Sequence, residues 1–275
     1  MAQAPAPSSS PLPNRPLAPI VWAARFLRAV GGVSLLSGQT LRCAFRGGFS
    51  GPWARREFLY QLETVGIRSL TIAILTAAFS SMVMTVQFAV QMTRFGVKEY
   101  VSSVVSLSLV RELGPALTAL MVGGRVGAGI AAELGSMRVT EQVDAIRAMG
   151  ADPVRKLVVP RVAATTLALP LLTVFADILG VLGAMVVARL DSGVGMTLFL
   201  ESMLRSVALE DVMHGLVKTV FFGFLLGVIA CYKGLSTTGG TEGVGRATTE
   251  TVVVTSLVTL CVDFILTNLL LGFGL

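Results

Sequence analysis

Five runs of roughly 20 or more mainly apolar residues, near 66–92, 101–122, 157–188, 212–232 and 251–273, leave this chain few ways to fold. Each is long enough to cross a bilayer as a helix. In hydrocarbon no water bonds a stray N–H or C=O, so such runs satisfy their own backbone as helices. The chain is 275 residues long, 53% hydrophobic and 14% charged, whereas a soluble domain carries about a quarter charged residues. The expectation is one all-α polytopic membrane domain of about five transmembrane helices. Pro115 interrupts the second run, and Pro160 and Pro170 the third. Membrane helices tolerate such prolines when neighbours bond the freed carbonyl.

Lys and Arg set the orientation. Segments in chain order carry 8, 2, 6, 2, 2 and 0 basic residues outside the apolar cores. The alternation places the N-terminus in the cytoplasm, the C-terminus outside, and the charge-rich segment after the second span in the cytoplasm. Residues 1–19 are rich in Pro, Ala and Ser, show no basic-then-apolar leader, and read as a disordered tail ahead of a domain spanning 20–275. Trp22, Phe26 and Leu27 with Arg25 and Arg28, then Phe58, Leu59, Leu62 and Val65 with Arg55, Arg56, Glu57 and Glu63, repeat at helical spacing. Both stretches read as amphipathic helices lying in the interface.

The segment 109–161 is the least membrane-like. It holds Arg111-Glu112 beside Pro115, and then Glu133, Arg138, Glu141, Asp144 and Arg147. On a helix over 138–149, Val139, Val143, Ile146 and Met149 share one sector; Arg138, Glu141, Asp144 and Arg147 share the opposite one. Arg138/Glu141 and Asp144/Arg147 are then i,i+3 pairs. Asp152-Pro153 reads as an N-cap followed by proline at the first helical position. The result is a short amphipathic helix between spans two and three, with two readings open: a connector, or a docking surface. Upstream, Gly123, Gly127, Ala131 and Gly135 form a small-residue stripe that suits close packing within the chain more than a dimer seam.

Arg111, Glu112, Asp177, Lys218 and Asp263 lie inside apolar runs. Each costs roughly 3 kcal/mol near a helix centre, while an apolar residue returns only about 0.3–0.6 kcal/mol. Arg111 and Glu112 are the better candidates for a functional contact. Asp177 and Asp263 suit internal packing, facing protein or a wet cavity, and Gln87 is a lone amide in the first span.

Several chemistries are excluded. The basic residues flank apolar runs rather than forming one solvated block, which argues against nucleic acid despite a formal charge of +6. Cys43, Cys231 and Cys261 share no short spacing, and Cys231 and Cys261 read as small core residues. His214 is the only histidine, so no His-based metal cluster is expected. The Gly239–Arg246 stretch lacks the Lys-Ser/Thr ending of a P-loop and reads as a flexible cytoplasmic turn. Any ATP used by this protein must bind another chain.

Taken together, these residues resemble the MlaE (YrbE-type) permease family, the membrane subunits of bacterial ABC transporters that work with MCE proteins. The resemblance rests on Arg111-Glu112-Leu113-Gly114-Pro115, Gly124-Arg125-Val126-Gly127, Ala132-Glu133-Leu134-Gly135-Ser136-Met137, Thr140-Glu141-Gln142-Val143-Asp144-Ala145 and Ala151-Asp152-Pro153-Val154-Arg155. Arg246-Ala247-Thr248-Thr249 and Val262-Asp263-Phe264 add to it, and it covers about 21–273. It implies an N-terminal interfacial helix, five spans, a homodimer, and a cytoplasmic coupling helix between spans two and three. It implies a non-catalytic permease in a bacterial inner membrane, with ATP and Mg held by two partner ATPase subunits. A small STAS-domain protein, a periplasmic ring of MCE subunits and a phospholipid substrate are the other implied partners. On this resemblance Glu133, Arg138, Glu141, Asp144 and Arg147 transmit ATPase closure. Arg111, Glu112 and Gln87, with Phe79, Met82, Val86 and Val90, line a lipid cavity at the dimer interface. With no Ser/Arg-rich transit segment, a plastid envelope is the less expected home. The competing reading is an ion-coupled secondary transporter using Asp177 and Asp263, which leaves the charged helix unexplained and lacks an internal repeat. An intramembrane enzyme would need a nucleophile–base set, and His214 is the sole imidazole.

Overall fold

The computed structural model describes the backbone of residues 18–45 and 52–272, with side chains from Leu27 onward except those of 52, 192 and 271. The Pro/Ala/Ser-rich start, and the Trp22 and Phe26 side chains, lie outside the described residues. Helix α1 covers Ala18–Phe45 and α2 covers Pro52–Arg94. A single 3-10 turn, Lys98–Tyr100, leads into the second span. That span is a chain of α3 (Val101–Ser108), α4 (Gly114–Val122) and α5 (Ala128–Val139), joined by wide π-helical turns at Leu109–Leu113 and Gly123–Gly127. Helix α6 (Gln142–Ala148) follows, then a π-helical turn at Val154–Val158 that opens α7 (Val159–Ser192). Helices α8 (Met196–Ser206), α9 (Leu209–Leu235) and α10 (Gly240–Gly272) complete the chain.

Five helical runs are long and apolar enough to cross a membrane: Trp53–Arg94, Lys98–Val139, Val154–Asp191, Leu209–Leu235 and Gly240–Leu270. The number matches the sequence reading, and several lengths do not. The second run does not stop at 122. It continues to Val139, a total of 42 residues, or roughly 60 Å at 1.5 Å per residue, twice a hydrocarbon core of about 30 Å. The glycines at 123 and 124 do not end it, because α9 and α10 pack against its small-residue face. A methyl group at Gly123 would meet Leu226 at 3.1 Å, and one at Gly127 would meet Thr251 at 3.4 Å. Ala131 and Leu134 are fully buried on the same face, so the stripe is internal packing, as expected. Nor do residues 58–65 form a separate interfacial helix. They are the opening turns of α2. Gly66 is the one weak helix former there, at a cost of about 1 kcal/mol, and Gln61 and Val65 are buried.

Alanines at 73, 77 and 89 on α2 let α7 approach closely along its length. The Ser81 hydroxyl donates to the Gly180 carbonyl at 2.6 Å. Helix α9 presents Gly215, Gly223, Gly227 and Gly234 to the second and third spans. The main core gathers Val122, Leu134, Val158, Leu169, Phe222 and Leu226, and a smaller one surrounds Phe199 of α8. Cys231 is buried, but Cys261 faces outward on α10, whose exposed side carries Val253, Leu257, Leu260 and Phe264.

Residues 138–149 are not one helix. Helix α5 ends at Val139, and Glu141 adopts a left-handed backbone at φ 60° before α6 begins. The Thr140 hydroxyl donates to the Ser136 carbonyl at 2.9 Å, drawing the chain off the helical path. Arg138 therefore pairs with Asp144 at 2.6 Å instead of Glu141, while Asp144–Arg147 forms as expected at 3.4 Å. A left-handed residue with a side chain costs about 1–2 kcal/mol, and glycine's greater unfolded freedom returns part of it. Glu141→Gly is expected to stabilise the chain by about 0.5–1 kcal/mol, read as a higher unfolding temperature in detergent. Asp152 caps the next helix as expected, its carboxylate accepting the Val154 N–H at 2.9 Å.

The glycine-rich stretch at 239–246 is also not a flexible turn. Gly239 and Gly240, at φ 90° and 68°, make the reversal, and α10 starts at once. The Gly243 N–H donates to the Gly239 carbonyl at 3.3 Å.

Candidate functional site: a buried charge network

Arg111 and Glu112 sit in the first π-helical turn, Leu109–Leu113, where the Gly114 N–H reaches back to the Leu109 carbonyl. Pro115 follows and has no N–H, so the Arg111 carbonyl four residues earlier loses its usual donor. Lys218 of α9 supplies one. Its ammonium lies 3.3 Å from that carbonyl, 2.6 Å from Glu112 Oε2 and 2.7 Å from Thr267 Oγ1 of α10. Asp263, one turn before Thr267, places Oδ1 at 3.3 Å from the same ammonium. Lys218 is fully buried, whereas the Glu112 side chain is 39% exposed. A buried ammonium has three protons to place, and here two spans, the second and the fifth, bring four acceptor groups to them.

Arg111 extends the network. Its guanidinium contacts His214 Nδ1 at 2.9 Å and Asp211 Oδ1 at 3.4 Å, both on α9. Arginine only donates, so Nδ1 accepts and the imidazole proton sits on Nε2, which has no hydrogen-bond partner. Asp211, His214 and Lys218 share one face of α9 at spacings of three and four. The structure thus joins Asp263 to Arg111 and Glu112 through Lys218, where the sequence reading favoured packing for Asp263 and kept it for function only in the competing ion-coupled reading. Asp177 stays apart. On α7 its Oδ1 is buried against Gly114 with no hydrogen-bond partner.

The apolar members of the expected cavity lie elsewhere on the chain. Phe79, Val86 and Val90 are exposed on α2. Val86, Gln87 and Val90 line a shallow groove of about 380 Å³ with Phe88 and Gln91. Met82 turns inward, its methyl 3.1 Å from where a side chain on Gly183 would begin. Within one chain, this groove and the Glu112–Lys218 network do not share a cavity.

The charged residues near α6 form a second group. Glu133 Oε1 bonds Arg161 of α7 at 2.6 Å, and the Arg161 side chain is only 3% exposed. The Arg161 guanidinium also donates to the Leu157 carbonyl at 2.8 Å. This ties the end of α5 to α7. Arg138 holds α6 through Asp144, and Val143 anchors it in the core. Glu141, Asp144 and Arg147 face solvent around it.

The geometry holds and redistributes charge within a membrane-spanning bundle. Among the described residues no group of three His, Cys, Asp or Glu side chains is arranged to hold a metal ion. Lys218 and Asp263 were visible in the sequence as misplaced charges. His214 and Thr267 were not, although the spacings Asp211-His214-Lys218 and Asp263-Thr267 are the helical signal that finds them.

The family described as Permease MlaE matches residues 58–269. A Rickettsia felis protein named probable ABC transporter permease protein is 40% identical over 245 residues, covering 89% of this chain and 93% of its own. The Haemophilus influenzae intermembrane phospholipid transport system permease protein MlaE is 37% identical over 227 residues, 81% of this chain and 87% of its own. The chloroplastic protein TRIGALACTOSYLDIACYLGLYCEROL 1 of Arabidopsis thaliana is 36% identical over 236 residues, covering 86% of this chain and 66% of its own.

Proposed function

This chain belongs to the Permease MlaE family, and from that premise we propose that it is the membrane subunit of an ATP-driven ABC transporter that moves phospholipid between a bacterial inner membrane and a periplasmic MCE protein. The Haemophilus relative, named as a phospholipid transport permease, supports phospholipid as cargo. The observation that carries the reading is the Glu112–Lys218–Asp263 network, a charged centre held between the second, fourth and fifth spans. A membrane bundle with no transport task gains little from such a centre, since apolar side chains of similar volume cost less there.

Two copies form the transporter. The exposed apolar faces of α2 and α10 support this, because both present large side chains outward along their length. Pairing such faces would bring the exposed Phe79 and the α2 groove of Val86, Gln87 and Val90, with Met82 turned inward beside them, toward the partly exposed Glu112. ATP and Mg belong to two ATPase subunits that dock on α6, and Glu133, Arg138, Glu141, Asp144 and Arg147 relay their closure. The salt links Glu133–Arg161 and Arg138–Asp144 support a rigid relay between α6 and the spans. A STAS-domain protein completes the cytoplasmic side. The N-terminus lies in the cytoplasm and the C-terminus in the periplasm, following the basic-residue count.

Glu112→Ala is the direct test. Lys218 keeps Asp263 and Thr267 in the variant, so the fold and assembly persist. Lipid transfer in reconstituted vesicles is expected to drop by about tenfold, the loss of one charge-assisted contact of roughly 1.4 kcal/mol. Normal transfer by the assembled variant removes Glu112 from the lipid path.

A further inference from the structure

The glycine-rich turn before α10 borders a pocket of about 570 Å³, near the end of α5, where Gly135 packs against Thr237 and Val244. Three cations reach it from three helices: Arg28 of α1, Lys233 of α9 and Arg246 of α10. One acid faces them, Glu250, and it is already paired with Lys233 at 2.8 Å. Among the described residues, no carboxylate lies within ion-pair distance of Arg28 or Arg246. Two like charges that converge from remote parts of a chain repel each other, and an anion between them reverses the sign of that contribution.

Thr238 brings a hydroxyl to the wall, while the Ser236 hydroxyl is already given to the Tyr232 carbonyl and the Gly243 N–H to the Gly239 carbonyl. A long helix adds its positive end there. The α1 wall is fixed by contact, since the Tyr232 ring lies directly on Gly32, where any side chain would collide with it. Elsewhere around α1, Leu27 and Val30 are exposed. A soluble anion makes no use of such apolar side chains, whereas a lipid does, with its phosphate in the pocket and its acyl chains along α1.

We propose that this pocket between α1, α9 and α10 binds a phosphate-bearing anion, supplied by the headgroup of an anionic lipid lying along α1. The phosphate chemistry stands independently of the transport reading; assignment to the cytoplasmic leaflet rests on the orientation given there. The site is separate from the Glu112–Lys218 network and shares no residue with it.

The test is native mass spectrometry of the full chain in mild detergent with added phosphatidylglycerol or phosphatidylcholine. Wild type is expected to retain phosphatidylglycerol in preference to phosphatidylcholine. Arg28→Gln/Arg246→Gln should lower that retention by about fivefold or more, with each single variant intermediate and an unchanged unfolding temperature. Arg189→Gln, at the far end of α7, should bind as wild type does. If excess inorganic phosphate displaces the lipid and is itself retained, the phosphate site stands and its source is soluble phosphate. Equal retention by wild type and the double variant overturns the proposal.

Discussion

Replacing Lys218 with methionine destabilises the protein by about 3–5 kcal/mol, the cost of breaking a buried ion pair from one side. The fully buried ammonium serves Glu112, Asp263, Thr267 and the Arg111 carbonyl at once. Methionine fills the volume and supplies no proton. Two carboxylates are then left near each other without a counter-charge, and the carbonyl that Pro115 has freed loses its donor. Water reaches Glu112 and softens its part of the loss; Asp263, 18% exposed, bears most of it. Thermal unfolding in detergent measures the effect. The triple variant Lys218→Met/Glu112→Leu/Asp263→Leu should recover most of the stability, because it removes the orphaned charges together. It should not recover lipid transfer. A triple variant as unstable as the single one would mean that Lys218 acts through packing alone.

Gly223→Val is expected to cost about 3 kcal/mol or more and to prevent recovery of monodisperse protein. A methyl group at Gly223 would press on the Thr165 carbonyl and lie 2.8 Å from Thr166 Cα. Those are backbone atoms of α7, and no rotamer change moves them. Helix α9 must withdraw, and the core around Phe222 and Leu226 opens with it. Gly66→Ala in α2 is the contrasting variant. Nothing lies within 4 Å of the added carbon, so the change gains up to about 1 kcal/mol of helix propensity. Unfolding temperatures of the two variants should move in opposite directions. Equal shifts would contradict the close α7–α9 approach.

The number of spans was legible because apolar runs of bilayer length have no other stable form. Asp152-Pro153 was legible because a cap and a first-turn proline act locally. The small-residue stripe at 123, 127, 131 and 135 was legible as packing, since its spacing alone puts it on one helix face. Other boundaries were not. The second span was expected to end at 122, because Gly123, Gly124 and Arg125 look like a helix terminus. Contacts from α9 and α10 carry the helix through them, and no local signal encodes those contacts. The break at Glu141 is equally hidden, since glutamate is a good helix former and its left-handed backbone is imposed by the surrounding fold. Helix α8 falls between two of the apolar runs, and its anchor is a single buried residue, Phe199. The candidate site was half legible. Charges inside apolar runs announce themselves by their cost, but the partners of Lys218 come from residues 49 and 106 positions away. Only the folded bundle brings them together.

The proposed role, membrane subunit of an ATP-driven phospholipid transporter, requires an ATPase bound to this chain. The most direct measurement is a pull-down of the tagged chain in mild detergent, with mass spectrometry of both the co-purifying proteins and the bound lipids. Under the proposed role an ATPase subunit, an MCE protein and phospholipid are expected in the same complex. Recovery of the chain with no ATPase, under conditions that preserve other membrane complexes, would contradict it.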